Sequence, residues 1–494
     1  MNGLMLDSAR TLESRDYYLT MLEFMADRGC DTLLWHFTDD QGCSLRFDCL
    51  PEAASPNAYT KPELRYLLTS ARRRGISVIP ELETLGHTRY LTNARPDLAE
   101  LKENNDEYTS FCPLHPKARS LVCQLLDEVC ELFDSELIHV GLDEVNFGGH
   151  PLTIEALKTR TAGDIFAEYV NFLHAELAHR GRRMLMWGDQ LLHDPTIAAK
   201  LPKDIVVANW QYTPAVPEQT TRQLQDWGFE VISCPALITH DQTLYPGDQF
   251  AVPNLRDTAR HVKAAGTLGT ITTIWTPQRY LHNSLWPAVD LAIGFMTHGG
   301  ELDVLQRSAA YGREAFGLDE QQADDWANAL AEIYALTPMR KPWIAAMKLE
   351  LDDRLSGIDL RQQAQRWESV AETLVDLRPA IKRNPRIFDA VTLMSEVAAH
   401  VWHRARVFRD SKANDQTLAR SLALSALLDQ AWDHERFEDD PRKYEPIFDF
   451  DADNHLLVTF NAGTQRLRES LGLDELAPAS KNATPHGISR SADN

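Results

Sequence analysis

The chain has 494 residues, 44% hydrophobic and 25% charged, and 50 Lys and Arg against 72 Asp and Glu give a formal net charge of −22. Those proportions are globular and exclude wholesale disorder, and the acidic balance excludes a surface built for nucleic acid or anionic lipid, which needs clustered cations. The length corresponds to about three ordinary domains, although a single α/β barrel takes ~250 residues.

Seven cysteines (Cys30, Cys43, Cys49, Cys112, Cys123, Cys130 and Cys234) form no CxxC pair, as in a reduced chain with buried thiols. Residues 1–20 carry Asp7, Arg10, Glu13, Arg15 and Asp16, unlike a secretory leader. No run reaches the ~18 apolar residues of a membrane span. A cytoplasmic protein is the expectation, with no nucleic-acid or membrane partner.

Eight short apolar runs follow in chain order: GLMLD from Gly3, DTLLWHFTDD from Asp31, ISVIPELE from Ile76, LIHVGLDE from Leu137, RMLMWGD from Arg183, IVVANWQY from Ile205, EVISCPA from Glu230 and LGTITTIWT from Leu268. Runs of this kind predict strands buried on both faces. Amphipathic stretches at 17–28, 61–74, 117–133, 167–180 and 254–265 lie between them. Arg28-Gly29, Arg74-Gly75, Arg180-Gly181, Trp227-Gly228 and Ala265-Gly266 supply helix stops that lead into the next strand. The alternation predicts an α/β fold class, a (β/α)8 TIM barrel over 1–300 closed by a helix at 285–297. From 301 the text is helical without strands, at 321–335, 360–377, 387–409, 417–436 and 454–470, which predicts an all-α C-terminal domain over 301–475. Residues 476–494 are small and polar and predict a disordered tail.

Polar residues collect where the strands end: Asp7 and Arg10; His36, Asp39 and Asp40; Glu81, Glu83 and His87; His139, Asp143 and Glu144; Trp187 and Asp189; Trp210; Trp275. The C-terminal mouth is where a barrel of this kind does its chemistry. Adjacent Asp143 and Glu144 raise one another's pKa, so one is expected ionised and the other protonated, the division needed to cleave a bond with a developing cation. Asp39 and His87 at neighbouring strand ends can form a carboxylate–imidazole pair that steers a glutamate on the fourth strand. Trp187, Trp210 and Trp275 suggest an aromatic box for the apolar face of a sugar.

GLMLDSAR, LLWHFTDDQG, VIPELETLGHT and IHVGLDEV, in this order and spacing, resemble the catalytic barrel of family 20 glycoside hydrolases, the exo-acting β-N-acetylhexosaminidases. The resemblance implies a retaining, substrate-assisted reaction in which the 2-acetamido oxygen is the nucleophile. It implies Glu144 as general acid and base and Asp143 as the residue that orients the acetamido group. Asp39 and His87 would be the supporting pair, and Trp187, Trp210, Trp275 and His139 would form the sugar pocket. Tyr212 and Tyr245 are candidates for a tyrosine on the acetamido oxygen. The implied partner is an N-acetylhexosamine-terminated oligosaccharide or glycoconjugate, and no metal or organic cofactor is implied. The chain departs from the family pattern at Asn2, where an arginine gripping the outer hydroxyls is expected, at Leu142 in place of glycine, at Glu83 in place of aspartate and at Pro277. The Asn2 departure implies weak discrimination between the gluco and galacto epimers. Two other readings are a sugar-binding barrel without catalysis and a metal-dependent hydrolase ligated by His36, Asp39, His87, His139 and Asp143.

Overall fold

The computed structural model describes residues 1–100, 110–239, 244–444 and 455–473. Eight parallel strands form the barrel, β1 Asn2–Asp7, β2 Thr32–His36, β3 Ser77–Glu81, β4 Leu137–His139, β5 Arg183–Trp187, β6 Val206–Trp210, β7 Glu230–Cys234 and β8 Gly269–Ile274, and a short strand at Ala236–Ile238 also pairs parallel with β8. The eight pair in chain order, and β1 closes on β8 through five register pairs from Asn2↔Thr270 to Leu6↔Ile274. Each predicted run therefore contains one barrel strand.

Alternation along a strand decides which side chains fill the barrel. Met5, Leu34, Ile79, Leu185, Val206 and Ile271 form the packed interior, while Leu4, Leu6, Leu33 and Trp35 pack outward against the helices. Two residues further along, Asp7, His36, Glu81 and His139 occupy consecutive register positions, Asp7↔His36, His36↔Glu81 and Glu81↔His139. The first layer above the apolar plug is thus polar on four adjacent strands.

The covering helices are α1 Arg15–Asp27, α2 Lys61–Arg73, α3 Pro116–Leu132, α4 Ala162–His179, α5 Asp189–His193, α6 Glu218–Asp226, α7 Ala251–Ala265 and α8 Trp286–Thr297. Helix α4 starts five residues before the predicted 167 because Thr161 and Asp164 form a capping box, which satisfies two otherwise orphaned N–H groups. Helix α6 shows only its Trp227-Gly228 stop in the sequence and no helical pattern before it. It buries only Thr221 and Leu224, too few apolar residues to show a period.

From Val304 the described residues form helices without strands: α9 Val304–Tyr311, α10 Glu320–Leu336, α11 Arg340–Lys348, α12 Leu360–Leu377, α13 Pro385–Arg409, α14 Asp415–Asp433 and α15 Leu456–Ser470. The expected disordered tail at 476–494 lies outside the described residues. No helix among the described residues is long and apolar enough to cross a membrane.

The segment after α14 reaches back to the barrel. Glu435 accepts the backbone N–H groups of His282 and Asn283, both at 2.7 Å. Arg436 Nη2 donates to the carbonyls of Pro277 and Tyr280 at 2.8 and 3.2 Å, and Arg442 Nη1 donates to Ala9 O at 3.0 Å. All three side chains are buried. The helical region thereby holds the loops after β1 and β8, which carry Arg10 and Thr276.

Candidate active site

A cavity of about 360 Å³ opens at the C-terminal mouth of the barrel. One side presents Arg10, Asp39, His87, Asp143 and Glu144; the other presents Trp187, Trp210, Tyr212, Trp275 and Thr276. Seven of the eight site residues expected from sequence therefore meet around one space. The exception is His139, which is fully buried and packs under Trp187 with ring centroids 4.5 Å apart. Its Nδ1 accepts the Gly141 N–H at 3.0 Å. Burial pushes its pKa down to about 4, so it is a neutral support beneath the wall. Position along a strand does not reveal this depth.

The charged side is built from the ends of β1 to β4. Arg10 donates to Asp7 Oδ2 at 2.7 Å and pairs with Asp39 Oδ2 at 2.9 Å. Burial alone would raise Asp39, but Arg10 and His87 outweigh it and hold the carboxyl well below its usual range, as nearby cations do. His87 stands between two carboxylate pairs. Its Nδ1 is 3.5 Å from Asp39 and 3.3 Å from Asp40; its Nε2 is 3.6 Å from Asp143 and 3.5 Å from Glu144. Burial pulls this imidazole down, but Asp143 and Asp39 prevail and hold it well above the usual value. Asp39, His87 and Glu144 thus stand in line at ion-pair distances.

Asp143 and Glu144 differ sharply. The Asp143 side chain is 14% exposed and the Glu144 side chain 65%. Burial, with Asp189 and other acids nearby, pushes Asp143 up to about 7 against the pull of His87. Asp143 is thus a carboxyl raised by its own burial. Its Oδ1 is buried and has no hydrogen-bond partner among the described residues. An atom of this kind awaits a donor, and an N–H from a ligand would return the group to its anionic form.

Backbone strain is concentrated here. Of the seven left-handed non-glycine residues among those described, four lie here, His87 (φ 49°), Leu142 (φ 79°), Glu144 (φ 45°) and Thr276 (φ 58°), each at a cost of about 1–3 kcal/mol. Leu142 takes this conformation at the position where the resembling family has glycine. Gly86 is required by close approach, since a Cβ there would meet Asp143 O at 2.4 Å. Glu83 does not face the cavity. It is buried against Gly141, and burial with Asp143 nearby lifts its pKa well above the usual value.

The aromatic side is held by few polar contacts. Trp187 Nε1 donates to Glu81 Oε1 at 2.8 Å, and Trp275 Nε1 donates to the Tyr212 hydroxyl oxygen at 2.8 Å. Trp187 and Trp275 lie 6.3 Å apart and Trp210 and Tyr212 lie 5.1 Å apart, by ring centroids. Because the indole N–H is an obligatory donor, the Tyr212 oxygen accepts from it, and the Thr273 hydroxyl lies 3.2 Å away as a further partner. Tyr245, the other tyrosine considered, is buried with its hydroxyl on Val391 O at 3.2 Å, away from the cavity.

Asn2 corrects a further expectation. It begins β1, at the end of the barrel opposite the mouth, and its backbone N–H donates to Asp31 Oδ1 at 2.9 Å. It is no substitute for a sugar-gripping arginine. The cation at the mouth is Arg10, which sits over the Trp275 ring at 5.5 Å. Its signal in the sequence was Asp7 three residues earlier, which fixes the guanidinium at the end of β1.

Two groups bring three donor atoms within 4.8 Å of one another, His36 with Glu81 and Glu83, and Asp39 with Asp40 and His87. In each the atoms already oppose protein charges: imidazole faces carboxylate, and Arg10 faces Asp39. Among the described residues His36, Asp39, His87, His139 and Asp143 do not come together as one such group.

Residues 2–262 match the family model for glycosyl hydrolase family 20, catalytic domain. Among curated relatives, the beta-hexosaminidase of Vibrio furnissii is 27% identical over 274 residues, covering 48% of this chain and 43% of that protein. The beta-hexosaminidase subunit beta of Homo sapiens is 27% identical over 247 residues, covering 47% and 43%. The chain thus matches less than half the length of these relatives. The X-ray structure of Flavobacterium johnsoniae chitobiase aligns with a TM-score of 0.51 over 94% of this chain and 78% of that one, at 18% identity, a likeness of fold alone.

Proposed function

The chain belongs to glycosyl hydrolase family 20, and from that membership we propose that it is an exo-acting β-N-acetylhexosaminidase. It removes terminal β-linked N-acetylglucosamine or N-acetylgalactosamine with retention, using the substrate's own acetamido oxygen. The observation that carries this reading is the orphaned Asp143 Oδ1 beside the aromatic wall, with Glu144 on the exposed rim.

The acetamido group enters the cavity with its N–H donating to Asp143. That bond stabilises the anion and brings the carboxyl down from its raised value. Tyr212, kept protonated by burial, donates to the acetamido oxygen, and Trp187, Trp210 and Trp275 enclose the methyl group and the apolar sugar face. Arg10 takes the outer hydroxyls. The carbonyl oxygen attacks C1 as the C1–O bond to the leaving group breaks, and Glu144 gives its proton to the departing oxygen. The resulting oxazolinium cation is balanced by Asp143. Glu144 then takes a proton from water as the water oxygen attacks C1 and the C1–O bond to the acetamido oxygen breaks, which restores the acetamido group, and two inversions leave the configuration retained. His87, anchored by Asp39, holds both carboxyls in place. A cavity this small and flanked on two sides accommodates a chain end, which supports exo action on oligosaccharides or glycoconjugates.

The test is a panel of aryl β-glycosides: N-acetylglucosaminide, N-acetylgalactosaminide and unsubstituted glucoside. The reading expects turnover of the acetamido substrates and none above background for the glucoside. Equal hydrolysis of the glucoside would contradict it, and binding without turnover would favour a sugar-binding barrel.

A further inference from the structure

His36 takes no part in the mechanism above, yet its surroundings are unusual. It ends β2 in the polar layer, fully buried, with Nε2 bonded to Asp39 Oδ2 at 2.8 Å and Nδ1 2.8 Å from Glu81 Oε2. The second contact is a close ion-pair approach rather than an aligned hydrogen bond, but a neutral imidazole would turn a lone pair against one of these carboxylates, so the geometry favours a proton on both nitrogens. The contacts on either side extend the line. Thr276 N–H donates to Asp7 Oδ2 at 3.1 Å, Asp7 holds Arg10 and Arg10 holds Asp39; on the far side Glu81 holds the Trp187 indole. The result is a belt from β8 through β1, β2 and β3 to β5, with charges alternating Asp7, Arg10, Asp39, His36, Glu81.

We infer that His36 is a positioning residue, an imidazolium strut that joins the carboxylate anchoring His87 to the carboxylate anchoring Trp187 and so sets the acid side of the mouth against the aromatic side. The register places Asp7, His36 and Glu81 at one level, so the strut bears on neighbouring strands directly. Other groups around it are compatible with the charge. Glu83, the third carboxyl of the cluster, has its pKa lifted well above the usual value by burial; from β4, His139 is neutral; from β8, the Trp275 ring lies edge-on at 5.0 Å. Burial alone would pull His36 down, but Glu81 and Asp39 outweigh it and keep it well above the usual histidine value.

Two measurements test the strut. The first uses the parent protein without substrate: ¹⁵N shifts of the His36 ring should show both nitrogens protonated at roughly pH 8, more than a unit above an ordinary histidine. A singly protonated ring there would overturn the inference. The second rests on the proposed hydrolase reading. His36→Gln supplies hydrogen bonds without charge, and should lower kcat/KM on an aryl N-acetylglucosaminide by about 10–100-fold, as orienting partners do. With its counter-charge gone, Asp39 should protonate more readily, so the acid limb of the kcat profile should move up by about one unit. Because both act through Glu81, Trp187→Phe should cost less in the His36→Gln background than in the parent. A folded variant with an unmoved acid limb and additive losses would assign His36 a purely structural role. A parent that fails to hydrolyse the substrate would sink the functional reading instead, and the ¹⁵N result would still judge the strut.

Discussion

Strands β1 to β4 bring charged groups to the mouth, and strands β5 to β8 bring rings. On the first side each group is fixed by an opposite charge within ion-pair distance: Arg10 on Asp7 and Asp39, and His87 against Asp39, Asp40, Asp143 and Glu144. On the second side the rings are placed by bulk and by single N–H bonds from Trp187 and Trp275. Charge in a buried site costs several kcal/mol unless it is paired, so the charged side needs a particular partner at each step. Packing tolerates substitution of similar volume. Losses on the charged side should therefore fall on kcat, and losses on the aromatic side on KM.

The sharpest way to break this contrast is at Glu144. Glu144→Gln should cut turnover of substrates with poor leaving groups by about 10²–10⁴, and far less for a dinitrophenyl glycoside, which departs without a proton. Equal losses on both would remove Glu144 from the acid role. Next in size, Asp143→Asn should cost about 3–4 kcal/mol of transition-state stabilisation. It should also weaken a thiazoline mimic of the oxazolinium much more than a neutral sugar, as paired inhibition constants would show.

Arg10 lies where the two sides meet. Arg10→Met should lower kcat/KM by about 1.5–3 kcal/mol, the usual worth of charge-assisted bonds, and should narrow the gap between gluco and galacto substrates. Unchanged epimer preference with a raised KM would leave Arg10 as a strut for Asp39 alone. The smallest effect is in pH. Asp143 in the free protein is pushed up to about 7 by burial, and the proposed mechanism uses its anion, so kcat/KM should rise with pH through that value. In that mechanism bound substrate donates an N–H to the carboxylate and lowers its pKa, so the acid limb of kcat should lie below that of kcat/KM. Coincident limbs would mean that the amide does not reach Asp143.

The same contrast explains what the sequence made legible. The strands stood out because both faces are buried, and Asp39, His87, Asp143 and Glu144 stood out because carboxylates and imidazoles at strand ends have no packing excuse. Arg10 was visible as a charge but not as the pocket's cation, since its place depends on Asp39 and on Thr276 across the β1–β8 closure. Tyr212 and Tyr245 looked equivalent until the helical region took Tyr245 for its own interior. His139 shared a motif with Asp143 yet sits a layer below it. The raised pKa of Asp143 comes from burial, which no local spacing encodes.

The most direct test of the central claim, that the substrate's carbonyl oxygen is the nucleophile while Asp143 balances its charge, is a series of aryl glucosaminides whose N-acetyl group carries zero to three fluorines. Fluorine withdraws electrons from that oxygen and leaves the leaving group unchanged. The account predicts that log kcat/KM falls steeply and monotonically along the series in the parent enzyme. A flat series with turnover intact would contradict it, because the nucleophile would then have to come from the protein or from water.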